Sequence, residues 1–375
     1  MKKNSTVTGF IAGVVVSVIV CSVFTLVYFK PFSHGGKSDG ISEKLALIEK
    51  EIDSEFYKKY DKTKVKDMLA KAYVKALGDK YSRYMTEKEY AEYLEDNKGS
   101  YSGIGIVYEK APRNLYRIRS VMKKSPAEEA GLKKGDVITK VEGRNVDKGK
   151  DVLKLIKGKA GTKVKLVIKR AGKLKSYTIV RRDIKEKTVY SRIVKKKFVQ
   201  IRITSFGVNT ATEFKKEYKK YKDKGFKNII LDLRYNGGGF LDSALAIGNM
   251  FVDKGTAIKV YNKSKEEDSY EYGKGKEDAK VVILVNKYSA SASEILAVSL
   301  QENGAAKLVG EKTYGKGVIQ TTLPLKSGGA LYLTTLEYVS PKGKKIHGVG
   351  ITPDYIVHNK YSDKQLNRAI SLLNK

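Results

Sequence analysis

The second half of the chain alternates short apolar runs with helical patterns, and this alternation narrows the choice of folds more than any other feature. Four runs rich in Val and Ile lie at residues 198–203, 228–233, 280–285 and 306–309. Helical periodicity lies between them, at residues 211–222, 241–251 and 292–301. Strands that alternate with helices favour a sheet built through right-handed crossovers. We therefore predict an α/β sheet core, in which the charged stretch at residues 263–280 is an exposed loop.

An uncharged apolar run at residues 8–29 has the length needed to cross a bilayer as a helix. Lys2 and Lys3 precede it and predict a cytoplasmic tail at residues 1–7, although two lysines also follow the run. No small-residue cleavage site ends the run. We predict an uncleaved single-pass anchor in the cell membrane, with the bulk of the chain extracytoplasmic, and a removed signal peptide is the alternative.

The charge of the chain is strongly positive, because 74 Lys and Arg outnumber 41 Asp and Glu and give a net charge of +33. Such a charge attracts anionic partners, so nucleic acid and envelope polymers must be considered. The lysines are mixed with acidic residues along the whole chain, without a zinc-finger spacing or an RNA-binding aromatic signature. We predict no nucleic-acid partner. The single cysteine, Cys21, lies in the apolar run, so the exported part has no thiol for a disulfide.

Residues 30–97 combine a linker with two helical patterns, at residues 41–60 and 65–77. These helices carry no recognisable chemistry. We expect their apolar stripes to pack against a neighbouring element or against a second copy of the chain, which would make the protein a homo-oligomer.

From residue 98 the chain changes to β-rich runs broken by glycines. A Ser-Pro-Ala-Glu-Glu-Ala-Gly-Leu stretch begins at Ser125, and it resembles a PDZ domain, which we place at residues 98–183. In such domains a Gly-rich turn offers backbone N–H groups to the C-terminal carboxylate of a peptide, and the peptide adds as a strand to an open sheet edge. The resemblance implies that this turn is formed here by Gly103, Ile104, Gly105 and Ile106. The alternative is that the two glycines only permit a tight entry into a strand.

Ser291 is the candidate nucleophile, since it lies where the apolar run at residues 280–285 gives way to an Ala-rich helix. A hydroxyl at a helix N-terminus lies near the positive end of the dipole, which favours developing negative charge. The amide of Ala292 can point at the oxygen of a tetrahedral intermediate. The alternative is that Ser289, Ser291 and Ser293 are capping and packing residues.

Lys316 is the candidate base, because none of the three histidines lies near a serine in a small-residue motif. A lysine acts as a base near pH 7 only if burial keeps part of its population neutral. The flanking Gly315 and Gly317 let backbone approach closely and exclude water. Gln320 could hold the amine by a hydrogen bond without adding a charge. The alternative is a lysine in a loop that faces solvent.

A glycine turn, Asn236 to Gly239, follows the run at residues 228–233. It would lie at the carboxyl end of a sheet strand, where α/β enzymes build their sites. Its amides are candidate oxyanion donors. A phosphate-binding loop is the weaker alternative, since no Gly-Lys-Ser/Thr follows.

These motifs together resemble the C-terminal processing peptidases, the tail-specific serine proteases that form subfamily A of peptidase family S41. The resemblance extends over nearly the whole ectodomain, through the segments at residues 79–84, 231–239, 289–295, 310–320 and 338–354 and the PDZ signature. It implies a chain of the α+β or α/β class, with a transmembrane helix, a helical region, a PDZ domain and a Ser-Lys peptidase core at residues 184–375. By the family pattern Ser291 is the nucleophile, Lys316 the base and Gln320 its support, while Ala292 and Gly238 form the oxyanion hole.

Two residues depart from the family pattern: Gly237 and Lys80 stand where relatives usually have proline. The first departure leaves open whether Gly238 or Gly239 is the oxyanion donor. The resemblance implies an endopeptidase that binds protein substrates by their C-terminal tails and whose PDZ domain controls access. We predict no metal site and no cofactor. The alternatives are an inactive PDZ scaffold and a protein that binds an anionic envelope polymer.

Overall fold

The computed structural model describes residues 40–112, 115–148, 151–185, 187–273, 275 and 277–374. The chain divides after Val65 into two units. The anchor predicted at residues 8–29 lies outside the described residues. Within the part that is described, no helix is both long and apolar enough to span a membrane.

The two N-terminal helices are α1 (Ile41–Glu55) and α2 (Lys62–Lys75), close to the positions that the sequence predicted. Helix α1 begins after Gly40, whose φ of 75° places the backbone in the left-handed region that glycine tolerates. No side chain of α1 is buried within the described part of the chain. The predicted homo-oligomer stays a prediction.

The elements that follow up to residue 185 are, in chain order, β1 (Arg83–Met85), α3 (Glu87–Asp96), β2 (Ser100–Gly103), β3 (Ile106–Lys110), β4 (Tyr116–Val121), α4 (Pro126–Glu129), β5 (Val137–Val141), β6 (Arg144–Asn145), α5 (Asp151–Lys154), β7 (Lys163–Arg170), β8 (Lys173–Val180) and β9 (Arg182–Lys185).

The remaining elements are β10 (Val189–Val194), β11 (Phe198–Ile203), α6 (Thr210–Lys222), β12 (Asn228–Asp232), α7 (Leu241–Gly248), β13 (Lys254–Tyr261), β14 (Glu267–Gly273), β15 (Lys280–Val285), α8 (Ala292–Glu302), β16 (Ala306–Gly310), β17 (Val318–Pro324), β18 (Ala330–Val339), β19 (Tyr355–Ile356) and α9 (Lys364–Leu373).

The predicted α/β core is confirmed as a six-stranded sheet with the order β10-β11-β12-β15-β16-β19. Strand β10 is antiparallel to β11, and the other neighbours are parallel. Helices α6 and α8 connect parallel neighbours, as the alternating sequence pattern requires. The parallel order places the carboxyl ends of β12, β15 and β16 side by side at one edge.

Both faces of this sheet are covered, which explains why its strands are apolar without interruption. Ile229, Leu231 and Ile283 belong to the large core cluster that includes residues of α6, α7 and α8. Ile230 and Val282 point to the other face and form a second cluster with α9. The period-two alternation within each strand therefore assigns neighbouring residues to different cores.

A second sheet, with the order β1-β18-β13-β14 and with β17 paired to β18, was not anticipated. The prediction of an exposed loop at residues 263–280 is wrong, because β14 lies there and pairs antiparallel with β13. Tyr272 on β14 is buried and its hydroxyl lies 2.7 Å from Ser299 Oγ, while the neighbouring Glu271 faces solvent. The outward-facing residues of this edge strand are charged, and for this reason the sequence did not indicate a strand with inward-facing tyrosines.

The segment between β2 and β9 forms a separate β-rich insert. Its sheet has the order β3-β4-β5-β7-β8, with β6 paired to β5, and it encloses its own core, which includes Ile118, Ile138 and Leu166. Strands β2 and β9 pair with each other as a two-stranded ribbon, in which Gly103 lies opposite Arg182. The insert thus begins and ends at the same ribbon.

Candidate active site

The candidate residues converge at the carboxyl edge of the parallel sheet. The loops that follow β12, β15 and β16 meet there, and they border a cleft of about 500 Å³. The predicted core-site residues that line this cleft are Gly238, Ser291, Ala292, Lys316 and Gln320. The fold thus brings together side chains that lie up to 82 positions apart, from residue 238 to residue 320, in one cavity.

Ser291 lies directly before α8 in an unusual backbone conformation. Its φ is 55° and its ψ is −120°, a region that a residue with a Cβ rarely occupies. The backbone N–H of Glu294 donates to the Ser291 carbonyl at 2.7 Å, so the turn is closed by the first turn of the helix. Strain of this kind persists only where the surroundings over-determine it, and it is concentrated at functional sites.

Lys316 is half-buried, and its Nζ lies 4.9 Å from the centroid of the Tyr81 ring. Burial lowers the pKa of the Lys316 amine below its ordinary value. The charges of Asp79 and Tyr314 oppose this shift, and the guanidinium of Arg83 adds to it. The cause of the shift is therefore the removal of water from the amine, which disfavours the charged form.

Glu294 is the site residue that the sequence reasoning missed. Its side chain is fully buried, and its Oε2 accepts the backbone N–H groups of Ser291 and Lys316, both at 2.9 Å. Its Oε1 accepts the N–H of Gly315 at 2.7 Å and the hydroxyl of Thr313 at 2.5 Å. One carboxylate thereby ties the loop of the serine to the loop of the lysine. The Ser-x-x-Glu spacing of a capping box was the signal that could have found it.

Gln320 reaches the cleft from β17, so the second sheet also contributes to the site. Its Nε2 donates to Thr334 Oγ1 at 3.1 Å, and these two residues are paired across β17 and β18. This bond orients the carboxamide and leaves its oxygen to accept a hydrogen bond.

The glycine turn lies against the serine. A Cβ on Gly238 would come within 2.8 Å of Ser291 Cβ and 3.0 Å of the Ala292 nitrogen, so only glycine fits there. The N–H of Gly238 donates to Asn236 Oδ1 at 2.9 Å, and this donor is therefore already engaged. At Gly237 a Cβ would meet no atom within 4 Å, so lack of space does not require glycine at this position.

Lys80, the second departure from the family pattern, lies near the same tyrosine ring as Lys316. Its Nζ lies 3.3 Å from Tyr314 Oη and 4.9 Å from the Tyr81 ring centroid. The ring of Tyr81 thus has two ammonium groups near it. The carboxylate of Asp79 fixes this segment by accepting the N–H groups of Tyr81 and Ser82 at 3.1 and 3.0 Å.

Arg234 and Asp232 form an ion pair directly before the glycine turn. The guanidinium donates from Nη2 to Asp232 Oδ2 and from Nη1 to Asp363 Oδ1, both at 2.7 Å. Burial alone would raise the pKa of Asp363, but the hydrogen bond from Arg234 holds it below its usual range. The pairs attach the start of the glycine turn to the start of α9.

The predicted carboxylate turn lies in the insert, and the residues that line the cleft do not include it. Gly103 ends β2, Ile104 is fully buried, and Gly105 has a φ of 80°. The carbonyls of Ile104 and Gly105 accept backbone N–H groups from Ala127 and Met122 at 2.9 Å. The turn leads into Ile106, the first residue of β3. Within the described part of the chain, the sheet pairs β3 on one side only.

Comparison with known proteins identifies the domain that contains the α/β sheet and the β-rich insert. The profile of peptidase family S41 matches residues 197–357, and that of a PDZ domain matches residues 117–170. Proteins described as probable CtpA-like serine proteases are similar over most of this chain. The one from Staphylococcus haemolyticus is 39% identical over 320 residues, which cover 83% of this chain and 64% of that protein. The one from Staphylococcus saprophyticus is 37% identical over 358 residues, which cover 92% and 72%.

Two solved structures share the fold. The photosystem II D1 C-terminal processing protease has 24% sequence identity and a TM-score of 0.53, over 88% of this chain and 91% of that one. A putative S41 protease from Bacteroides fragilis has 18% identity and a TM-score of 0.55, over 81% and 90%. The chain spans 64% to 72% of the length of the two curated staphylococcal relatives. By this similarity the chain belongs to peptidase family S41, together with the CtpA-like serine proteases.

Proposed function

We propose that this protein cleaves polypeptides near their C-termini through a Ser-Lys dyad formed by Ser291 and Lys316. One observation carries the proposal: a lysine whose pKa is lowered by burial shares a cleft with a serine in a strained conformation. A lowered pKa increases the fraction of the lysine that is neutral, and a neutral amine can accept the proton of a hydroxyl near neutral pH. Membership in a family of serine-type peptidases supports the same assignment.

In the acylation step, neutral Lys316 takes the proton of the Ser291 hydroxyl while Oγ attacks the scissile carbonyl. The tetrahedral intermediate collapses when the ammonium of Lys316 returns that proton to the leaving amine, and the acyl group stays on Ser291. In the deacylation step, Lys316 takes a proton from the attacking water, and Ser291 Oγ receives it as the acid product leaves. The carboxamide oxygen of Gln320 accepts a hydrogen bond from the Lys316 amine and keeps the amine oriented toward the Ser291 hydroxyl.

The oxyanion of the intermediate would receive the N–H of Ala292, the first residue of α8. The second donor is Gly238 or Gly239. For Gly238 to serve, its N–H must leave Asn236 Oδ1, which currently accepts it. Substrate binding would then supply the change in the turn, since the resting arrangement does not offer this donor.

The PDZ domain is proposed to bind the C-terminal tail of the substrate as an added strand beside β3, with the tail carboxylate at the turn from Gly103 to Ile106. The insert contacts the rim of the cleft through Lys157, whose Nζ lies 2.9 Å from Asp96 Oδ1. Tail binding that moves the insert would therefore act on a residue that lines the cleft. This is the basis for proposing that the PDZ domain controls access to Ser291.

We further propose that residues 8–29 anchor the protein in the cell membrane and that the peptidase acts on the extracytoplasmic side. The support is the length and apolar character of that run together with the lysines before it. Protease accessibility in intact cells tests this orientation: an extracytoplasmic core would be digested by added protease, and a cytoplasmic one would survive until lysis.

The function is tested with an unstructured protein that ends in alanine or valine, incubated with the wild-type enzyme and with a Ser291→Ala variant. We expect the wild type to shorten the substrate and the variant to bind its tail without cleaving it. Mass spectrometry of the products locates the cut. Cleavage retained by Ser291→Ala would refute the nucleophile, and an inactive wild type that still binds tails would favour the scaffold alternative.

A further inference from the structure

Two tyrosines stack on each other at the protein surface, outside the cleft that holds the candidate dyad. The ring centroids of Tyr235 and Tyr288 are 5.4 Å apart, and the ring planes differ by 20°. The side chains are 65% and 51% exposed. We call this pair the tyrosine shelf. Its rings present apolar area to solvent, an arrangement that is typical of surfaces that bind a partner.

The tyrosine shelf belongs to the two loops that form the site. Tyr288 precedes Ser291 by three residues, and Tyr235 precedes Gly238 by three. Gly238 packs so closely on Ser291 that a Cβ would come within 2.8 Å of the serine Cβ. The shelf is therefore carried by the same two loops that hold Ser291 and Gly238.

A buried side chain holds the two loops together beneath the rings. The Oδ1 atom of Asn286, which is buried, accepts the backbone N–H of Tyr235 at 3.0 Å and that of Tyr288 at 3.1 Å. The shelf is therefore fixed by the protein interior, and its exposed rings do not need to pack in order to keep their place.

The backbone of Tyr235 has an unfavourable conformation for a residue with a bulky side chain. Its φ is 62°, a left-handed conformation that costs a residue with a bulky side chain roughly 1 kcal/mol or more. Asn or Gly would occupy this conformation with less strain. The chain thus keeps an exposed aromatic ring at a position where a smaller residue would fold more easily.

The chemistry around the shelf indicates its ligand. Lys287 Nζ lies 5.3 Å from the Tyr288 ring centroid, and Tyr314 is exposed on the third loop, with its N–H bonded to the Ser289 carbonyl at 3.0 Å. The ammonium lies over the face of the Tyr288 ring, and the exposed Tyr235 ring offers aromatic surface on which a large apolar or aromatic side chain can stack. The tyrosine shelf does not line the cleft, so it would contact a part of the substrate that extends beyond the cleft.

We propose that the tyrosine shelf is a specificity subsite, which stacks on an aromatic or large apolar side chain of the polypeptide substrate in the part that lies outside the cleft. This inference rests on the proposed function, since it assigns a subsite to the same reaction. A pair of aromatic rings gains about 0.5 to 1.5 kcal/mol beyond the burial of area. The shelf should therefore discriminate between substrates by roughly 2- to 10-fold.

The test compares wild type with Tyr235→Asn, Tyr288→Ala and the control Tyr235→Phe, on peptides of one length that carry Phe or Gly at each position near the cut. We expect Tyr235→Asn and Tyr288→Ala to lower kcat/KM roughly 2- to 10-fold for the Phe peptides at the shelf position. Peptides with Gly there should be unaffected, and Tyr235→Phe should behave as wild type. The Tm of Tyr235→Asn should stay equal or rise, because the substitution relieves backbone strain.

A ring that only supports the fold would give a different result, namely a lower Tm and an equal loss on all peptides, which would overturn the proposal. Unchanged preferences in both shelf variants would overturn it as well. If a soluble chitin oligosaccharide perturbs the tyrosine fluorescence of wild type but not of the variants, and peptide preference is unchanged, the shelf binds glycan and the proposal is wrong.

Failure of the proposed function is recognised separately. The same peptides are titrated onto Ser291→Ala enzyme with and without the shelf substitutions, so that binding is measured without cleavage. Weaker binding of the Phe peptides to the shelf variants supports the subsite even if wild type fails to cleave them. Equal binding to all forms overturns the subsite even if wild type is an active peptidase.

Discussion

The surroundings of Ser291 and the junction of the PDZ domain are built in opposite ways. Around the serine, the loop of Ser291 and the loop of Lys316 are joined through hydrogen bonds to Glu294, a side chain that is 0% exposed. At the junction, the named ion pairs lie at the surface: both side chains of the Lys157–Asp96 pair are more than half exposed. Within the PDZ domain, Arg182 of the ribbon strand β9 and Glu129 form a second exposed pair.

The difference separates the proposed catalytic residues from the PDZ domain that is proposed to bind substrate tails. Buried bonds to a carboxylate resist displacement, because each N–H left without a partner costs about 1 to 3 kcal/mol. Exposed ion pairs contribute about 0 to 1 kcal/mol, so a domain held by them can shift at little cost. We infer that the loops of the dyad move little while the PDZ domain is free to respond to a bound tail.

The largest effect is expected from Lys316→Met, which removes the base and keeps much of the length of the side chain. Peptide hydrolysis should fall by about 10³-fold or more, since the nucleophile cannot be activated without a proton acceptor. Lys316→Arg is the matched control: it keeps a cation but does not deprotonate, and it should be equally inactive. Substantial activity in either variant, measured by steady-state hydrolysis, would contradict the assigned role.

The same amine sets the pH dependence. Because burial lowers the pKa of Lys316, kcat/KM should rise with pH and level off below the ordinary lysine value of about 10.4. The folded state then binds fewer protons than the unfolded state between the folded and unfolded pKa values, so its stability rises with pH in that window. Denaturation of wild type and Lys316→Met across pH should show this slope in wild type alone.

Glu294→Ala should have the next largest effect. It removes the buried carboxylate that distinguishes the surroundings of Ser291 from the junction of the PDZ domain. It leaves the N–H groups of Ser291, Gly315 and Lys316 without their acceptor, so we expect a loss of about 3 kcal/mol or more in the free energy of unfolding. Activity should fall together with the labelling of Ser291 by a fluorophosphonate. Glu294→Gln keeps the size and one acceptor, and it should be intermediate. Wild-type stability in Glu294→Ala would show that the loops do not depend on this carboxylate.

Lys157→Ala tests the weaker side of the comparison and should have the smallest effect. The stability change should stay within about 1 kcal/mol, as for other exposed ion pairs. If the contact with Asp96 restrains the PDZ domain, the response of hydrolysis to added tail peptide should change more than basal stability does. A stability loss as large as that of Glu294→Ala would show that the junction is as rigid as the active site.

The sequence predicted the parallel sheet well because its strands are buried on both faces. Runs such as residues 280–285 contain only apolar residues after Lys280, and a continuous apolar run needs no tertiary information to be recognised. The helix after Ser291 was equally visible. Strand β14 was missed because its inward tyrosines alternate with acidic residues, and this alternation was read as a charged loop.

The parts of the site that could not be predicted depend on contacts between distant residues. The engagement of the Gly238 N–H by Asn236 is a matter of turn geometry, which a run of three glycines leaves open. The role of Glu294 depends on its contact with a loop 22 residues away, and only its capping spacing was visible. Likewise, no periodicity indicated that Tyr235 and Tyr288, 53 positions apart by their numbers, would stack.

The ribbon of β2 and β9 has a consequence for how the chain could be rearranged. Gly103 and Arg182 lie directly opposite each other, and such partners have Cα atoms about 5 Å apart. A tight turn of two residues bridges that gap. The recognition module could therefore be excised, or exchanged for another whose termini have the same spacing, with the peptidase scaffold closed by a simple hairpin.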